Sequence, residues 1–181
     1  MRIISGKARG TKLFTLDGLH TRPTLDRVKE PLFSIIGTEI NEANILDLFA
    51  GSGALAIEAL SRGAKSAVLC DNSKEAIQII NKNLEKTKLH AEVINNDFVK
   101  CLSKLQGRQF DIIFLDPPYE TDYIEKAINK ILECNLLSEN GLIVAETDNQ
   151  DKIKKIENLD ITIKDIRRYG RVILIFLNRK G

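Results

Sequence analysis

Cysteine is scarce in these 181 residues: Cys70, Cys101 and Cys134 stand far apart, with no CxxC pair. A disulfide framework and a cysteine-built zinc cluster are excluded, which leaves three small buried hydrophobes. The two histidines, His20 and His90, show no ligand spacing, so no metal centre is expected. Long apolar runs are missing too. Val172–Leu177 is a typical one, and a bilayer-spanning helix needs about 20 residues. The opening Met1–Gly6 has no apolar core of signal-peptide length. No membrane partner is expected, and the cytoplasm is the default location. Repeats and low-complexity tracts are absent as well.

What the chain does have is an ordinary globular composition, 43% hydrophobic and 29% charged, at a length that suits one folded unit with a full core. Its net charge of +2 is unevenly spread. Residues 1–30 hold seven Lys/Arg against three Asp/Glu, net +4. Residues 164–181 hold six against one, net +5, and the stretch between carries −7. Basic ends around an acidic middle fit a polyanionic partner, and a solvated basic surface equally well.

The pattern divides into an N-terminal extension, 1–30, and a catalytic region, 31–181. Arg2–Ser5 and Thr11–Leu16 flank the Gly-bounded turn Gly6-Lys7-Ala8-Arg9-Gly10 and read as a β-hairpin. Pro31 suits the first position of a helix running to about Ile40, and a helical turn before it stays open. Strands are expected at 45–49, 66–71, 91–95, 110–116 and 142–146. Helices are expected at 54–61, from Ser73 to Lys86, at 99–105 and at 123–137. This alternation indicates an α/β fold with a doubly wound, mostly parallel sheet. Ile161–Ile166 and Val172–Leu177 have no room for a helix between them and should pair antiparallel, a closing hairpin that by fold analogy suits methyltransferases.

Leu46-Asp47-Leu48-Phe49-Ala50-Gly51-Ser52-Gly53 runs a buried strand into a glycine turn. Glycines let a ligand approach the main chain. Asp71 ends the next strand, where a carboxylate can accept from ribose hydroxyls. Both features fit a dinucleotide as well as S-adenosylmethionine. Asp47 favours the latter, because it would repel a pyrophosphate and attract an aminoacyl ammonium; it could also simply cap the loop. Asp97 could accept from an adenine amine while Phe98 packs on the ring, or Asp97 could cap the following helix.

The deciding motif is Asp116-Pro117-Pro118-Tyr119 at the carboxyl end of a buried strand. An exocyclic amine is a poor nucleophile because its lone pair is delocalised. Two acceptors, the Asp116 side chain and the Pro117 carbonyl, can grip its N–H bonds and turn the lone pair toward a methyl donor. The prolines, Pro117 and Pro118, pre-set the backbone. Tyr119 offers a ring face for an extruded base. These residue types point to methyl transfer onto a nucleobase amine.

The stretch Leu46–Leu55 with Glu58-Ala59-Leu60-Ser61-Arg62-Gly63-Ala64 resembles the bacterial RsmD-type ribosomal RNA methyltransferases. The same holds for Arg2-Ile3-Ile4-x-Gly6-x-x-Arg9-Gly10, Arg22-Pro23-Thr24, Asp26-Arg27-Val28, Glu30 and Asp-Pro-Pro-Tyr. The resemblance spans nearly the whole chain, and Arg-Pro-Thr is its narrowest signal. It implies a Rossmann-like class I methyltransferase fold, S-adenosylmethionine as cofactor, and the N2 amine of a guanine in small-subunit ribosomal RNA as target, either in the RNA or in a ribosomal particle. It implies cofactor roles for Asp47, Gly51, Gly53 and Asp71, a catalytic role for Asp116–Tyr119, and a place beside the active site for Arg22, Thr24 and Arg27. Apart from the resemblance, the basic excess at both ends would bring Lys7 and Arg9 of the hairpin and the Arg167–Arg171 turn to phosphates. The chain departs from the family pattern at Pro31, Ser73 and Asp97.

Three other functions compete. A nicotinamide-dinucleotide oxidoreductase explains the glycine turn and Asp71 but not Asp-Pro-Pro-Tyr. A non-catalytic RNA-binding module explains the basic ends but leaves the glycine motif idle. A DNA or RNA adenine amino-methyltransferase shares the chemistry, and residue spacing does not separate it from a guanine enzyme.

Overall fold

The computed structural model describes residues 1–16 and 24–181, with side chains of 24–26 left aside. Arg22 and the Thr24 side chain therefore lie outside the described residues. The chain forms α1 (Thr24–Ile36), β1 (Asn44–Asp47), α2 (Ala54–Ser61), β2 (Ser66–Asp71), α3 (Lys74–Thr87), β3 (Glu92–Asn95) and α4 (Phe98–Lys104). It continues through β4 (Phe110–Leu115), α5 (Tyr123–Glu133), β5 (Leu137–Thr147), α6 (Asp151–Glu157), β6 (Ile161–Tyr169) and β7 (Val172–Arg179).

The seven strands form one sheet in the order β3-β2-β1-β4-β5-β7-β6. β1 to β5 pair in parallel, and β7 enters antiparallel between β5 and β6. Side chains alternate across the sheet. Ile45, Leu69, Ile112, Phe114 and Phe176 face a core shared with α1, α2 and α3. Leu46, Val68, Ile113, Leu115 and Ile175 face the core under α4, α5 and α6. Strand order reverses between β1 and β4, and in open α/β sheets ligands bind outside the carboxyl ends of the strands at such a point.

Five sequence expectations need correction. The N-terminal hairpin reduces to one antiparallel bridge, Arg2 with Lys12. Three backbone bonds join its arms, Ile3 N–H to the Thr11 carbonyl, Gly10 N–H to the Ile3 carbonyl and Leu13 N–H to the Met1 carbonyl, at 2.9, 2.8 and 2.9 Å. The Ile4 and Ser5 N–H groups donate instead to the Glu58 carboxylate, at 2.9 and 3.1 Å. Lys7 N–H donates to the Ser61 carbonyl at the end of α2. A Cβ on Gly6 would lie 1.7 Å from that same oxygen, and φ there is +85°. Glycine is therefore required for this docking.

The first helix starts at Thr24, with Pro31 inside it rather than at its first position. Pro31 removes the bond to the Arg27 carbonyl, a cost of about 3 kcal/mol. Val28, Leu32, Phe33 and Ile36 are all buried on one face. At about 1.5–3 kcal/mol each, they outweigh that cost. Gly37–Ile40 then tightens into a 3-10 turn. The fifth expected helix stops at Glu133 instead of Leu137, because Asn135 takes a φ of 53° and reverses the chain. Leu137 instead opens β5, five residues before the expected start, and pairs with Phe110. Lastly, α6 was not expected. Its seven residues offer only two apolar anchors, Ile153 and Ile156, to signal a helix.

Candidate functional site

The carboxyl edge of the sheet holds a cavity of about 470 Å³ at the switch point. Asp47, Gly51, Asp71, Asp97, Phe98 and Asp116 all line it, as does Pro118. The strands bring these residues together because β1, β2, β3 and β4 run parallel and so end on the same edge. No helix of the described residues is long and apolar enough to cross a membrane.

Gly51 and Gly53 do different work. Gly51, at φ 57°, has open space where a Cβ would stand, and its N–H donates to Asp71 Oδ2 at 2.9 Å. Gly53, at φ 80°, is packed 2.9 Å from Leu69 and 3.2 Å from Ile57, measured from where its Cβ would be. It lies outside the cavity lining and sets the start of α2. Asp71 receives Gly51 N–H on one oxygen and Ser73 N–H on the other, at 2.9 Å each. The β2 carboxylate thereby shapes the glycine turn while facing the cavity.

Asp47 is 1% exposed and accepts from Ala56 N–H at 3.3 Å. Burial pushes its carboxyl up to about 7, the Ala56 N–H pulls the other way, and the nearby Asp71 adds to the rise. A buried acid held near neutrality has strong reason to receive a cation. Asp97 caps α4 by accepting from Lys100 N–H at 3.0 Å, and that bond holds its carboxyl below the usual range. Asp97 is thus the cap of the following helix and at the same time lines the cavity.

Phe49, Phe98 and Tyr123 form an aromatic wall. Phe49 and Tyr123 stack with centroids 6.1 Å apart and planes 7° from parallel, and Phe98 tilts against both. Tyr123 was missed in the sequence because it begins α5, beyond any motif. Met1, Thr15 and Leu16 also line the cavity and were not expected there.

On the β4 side, Pro117 is buried and Pro118 exposed. Tyr119 stands outside the cavity lining, with its hydroxyl donating to Glu146 Oε1 at 2.9 Å. Thr121 folds back with its hydroxyl 2.7 Å from the Pro118 carbonyl. Buried Lys152 of α6 donates to the Thr121 carbonyl and to Glu125, bracing this loop from behind. Glu146 and Lys152 carried no sequence signal, since both act through distant partners.

The basic residues separate into two places. Lys7 and Arg9 are exposed in the turn docked on Ser61. That is the far end of α2 from the glycine turn, and eight helical residues span about 12 Å. Arg168 and Arg171 are exposed around the β6–β7 turn. β7 meets β5 at Ile173 with Thr147, so that turn projects from the cavity's edge of the sheet. Arg27 is exposed on the first turns of α1.

Similarity to known proteins agrees with this geometry. Residues 1–178 match the family model described as Conserved hypothetical protein 95. The ribosomal RNA small subunit methyltransferase D of Haemophilus influenzae is 41% identical over 87% of this chain and 84% of its own. The Escherichia coli structure of yhhF superimposes with a TM-score of 0.87 at 35% identity, covering 99% of this chain and 98% of that one. The methyltransferase-fold protein SMU.776, solved with S-adenosylhomocysteine, matches with a TM-score of 0.69 at 22% identity over 84% of this chain and 49% of its own, a likeness of fold. The chain belongs to the Conserved hypothetical protein 95 family, in which ribosomal RNA small subunit methyltransferase D is a relative at 41% identity.

Proposed function

We propose that this protein transfers a methyl group from S-adenosylmethionine to the exocyclic N2 amine of a guanine in small-subunit ribosomal RNA. The observation that carries the reading is the meeting of Asp47, Gly51 and Asp71 with Asp116 and Pro118 around one cavity. That cavity suits the cofactor's parts. Asp47 would hold the ammonium, Asp71 the ribose hydroxyls, and Phe98 the adenine face near Asp97. Gly51 leaves room for close approach, since nothing lies within 4 Å of its missing side chain. A pyrophosphate would face Asp47 and Asp71 together, which disfavours a nicotinamide dinucleotide.

The cofactor supplies an electrophilic methyl group on a sulfonium. The chain's own part is to present the nucleophile. The Asp116 carboxylate accepts one amine N–H and the Pro117 carbonyl the other, which aims the nitrogen lone pair into the cavity. Proline rings fix both acceptors before substrate arrives, so little ordering remains at the moment of reaction. The methylated amine is acidic and releases its extra proton to solvent, so no strong base is required. Tyr119 supplies a face for the extruded base, and its bond to Glu146 fixes the ring. Arg168 and Arg171 lie where an RNA backbone would cross the cavity mouth, and Lys7 and Arg9 would touch it farther away. Arg22, Thr24 and Arg27 would approach the target nucleotide. The guanine, and the amine on it, rest on the family resemblance.

Incubation of labelled S-adenosylmethionine with small-subunit particles from a strain lacking this gene tests the reading. Label should appear as N2-methylguanine, and Asp116→Ala should abolish it. Label in methyladenine would move the target to the adenine reading while keeping the amine chemistry. Absence of any nucleic-acid label would remove the function.

A further inference from the structure

Asn83 is fully buried on α3, and each of its polar side-chain atoms is engaged. Its Oδ1 accepts from Phe14 N–H at 2.7 Å. Its Nδ2 donates to the Phe14 carbonyl at 3.0 Å and to the Ser52 carbonyl at 2.9 Å. The orientation is unique, since a flipped amide would face two carbonyls with oxygen and one N–H with nitrogen. Ser52 belongs to the glycine turn. Phe14 precedes Thr15 and Leu16, which wall the same cavity from the opposite segment of chain. Lys86, on the same helix, lies 4.5 Å from the centre of the half-exposed Phe14 ring and adds a second grip.

We propose that Asn83 is a positioning residue that locks Phe14–Leu16 as a strap against the glycine turn, so that filling the cofactor cavity and placing the N-terminal segment become one event. This rests on the cofactor reading above. Two segments 31 and 69 positions away from Asn83 in sequence are joined by a single amide. Interior packing transmits a shift of either to the other instead of absorbing it. A ligand that orders the glycine turn then orders the strap. Such coupling is reciprocal: whatever fixes the strap should tighten the cofactor by the same factor.

Hydrogen exchange read by mass spectrometry, with S-adenosylhomocysteine as the probe, tests this in the full chain. In the wild type, saturating probe should slow exchange in residues 14–16 together with 51–53 and 97–100. In Asn83→Ala, residues 97–100 should still respond while 14–16 no longer do, and calorimetric affinity should fall about tenfold, the scale of one buried hydrogen bond. Asn83→Leu preserves volume but loses all three bonds, so it should behave like the alanine variant, where a purely space-filling role would leave it like the wild type. Wild-type exchange in 14–16 that ignores the probe while 51–53 and 97–100 respond would overturn the strap and leave the cofactor reading intact. This measurement needs no variant to fold. Failure of the probe to bind the wild type at all would overturn both.

Discussion

The Tyr119 hydroxyl donates to Glu146 Oε1 at 2.9 Å, joining the loop after β4 to the carboxyl end of β5. Glu146 is 6% exposed, so the tie is made in a largely dry setting. Tyr119→Phe should cost about 0.5–1.5 kcal/mol of stability, the net worth of one hydrogen bond, and should keep a stacking face. Tyr119→Ala should lose far more turnover, through about 1–3 kcal/mol of base stacking. Denaturant melts and steady-state kinetics on both variants check this. Equal loss of turnover in the two would make the hydroxyl, not the ring, the working part.

Asp47 predicts an inverse pH dependence for the ligand-free protein. Its folded carboxyl sits near 7, above the ordinary value of 3.8, so between about pH 4 and pH 7 the native state binds more protons than the unfolded one. Stability from this group therefore falls as pH rises through that window. Asp47→Asn should flatten that slope in melts run from pH 5 to pH 8. Cofactor affinity should move the opposite way in the wild type and strengthen above pH 7, because an ionised Asp47 attracts the ammonium. Calorimetry at pH 5.5 and 8.5 showing no such gain would remove Asp47 from the aminoacyl end.

Glu58 anchors the N-terminal turn through a buried charge cluster. Lys29 Nζ lies 3.0 Å from Glu58 with both side chains fully buried, and Arg62 Nε stands at 2.8 Å. Burial alone would raise the Glu58 carboxyl, but Ile4 N–H, Arg62 and Lys29 together hold it below its usual value. That stability is present above about pH 4.5 and is lost as pH falls through the lowered folded value. Glu58→Ala should destabilise by about 3–5 kcal/mol, because it leaves Lys29 buried without its counter-charge. It should also release residues 1–13, read as faster tryptic cleavage at Lys7 and Arg9. A stable variant with a protease-resistant turn would contradict the anchoring role.

The two basic sites should differ in kind. Replacing Arg168 and Arg171 with alanine should raise the apparent KM for RNA and reduce the salt slope of binding, since each phosphate contact on a single strand contributes about 0.7 to that slope. The Lys7/Arg9 double variant should reduce the slope similarly but change turnover less, because it lies at the far end of α2. Filter binding over a salt series, paired with kinetics, separates the two. Unchanged slopes in both would place the RNA on another face.

Strand-by-strand patterning was legible wherever a local rule sufficed. The glycine turn, the Ser73 cap, the run Phe110–Leu115 and the Asp-Pro-Pro-Tyr segment each state their structure in consecutive residues. A parallel sheet then brings Asp47, Asp71 and Asp116 to one edge, because strands that share a direction share an end. Local rules were insufficient where a distant partner outweighed them. Pro31 sits inside α1 because the face from Val28 to Ile36 is buried, and the N-terminal arms dock on α2 because Glu58 takes the Ile4 and Ser5 N–H groups.

The sequence by itself determined the α/β alternation, the glycine turn and the residue types of the methyl-transfer chemistry, since each follows from periodicity or backbone restriction over a few neighbouring positions. Only the tertiary structure decided that Tyr123, Met1 and Leu16 wall the cavity, that Glu146 holds Tyr119, that Lys152 braces the loop behind it, and that Asn83 joins the strap to the glycine turn. These are contacts between segments tens of residues apart. Their geometry is set by how the helices pack on the twisted sheet, and no local pattern encodes it.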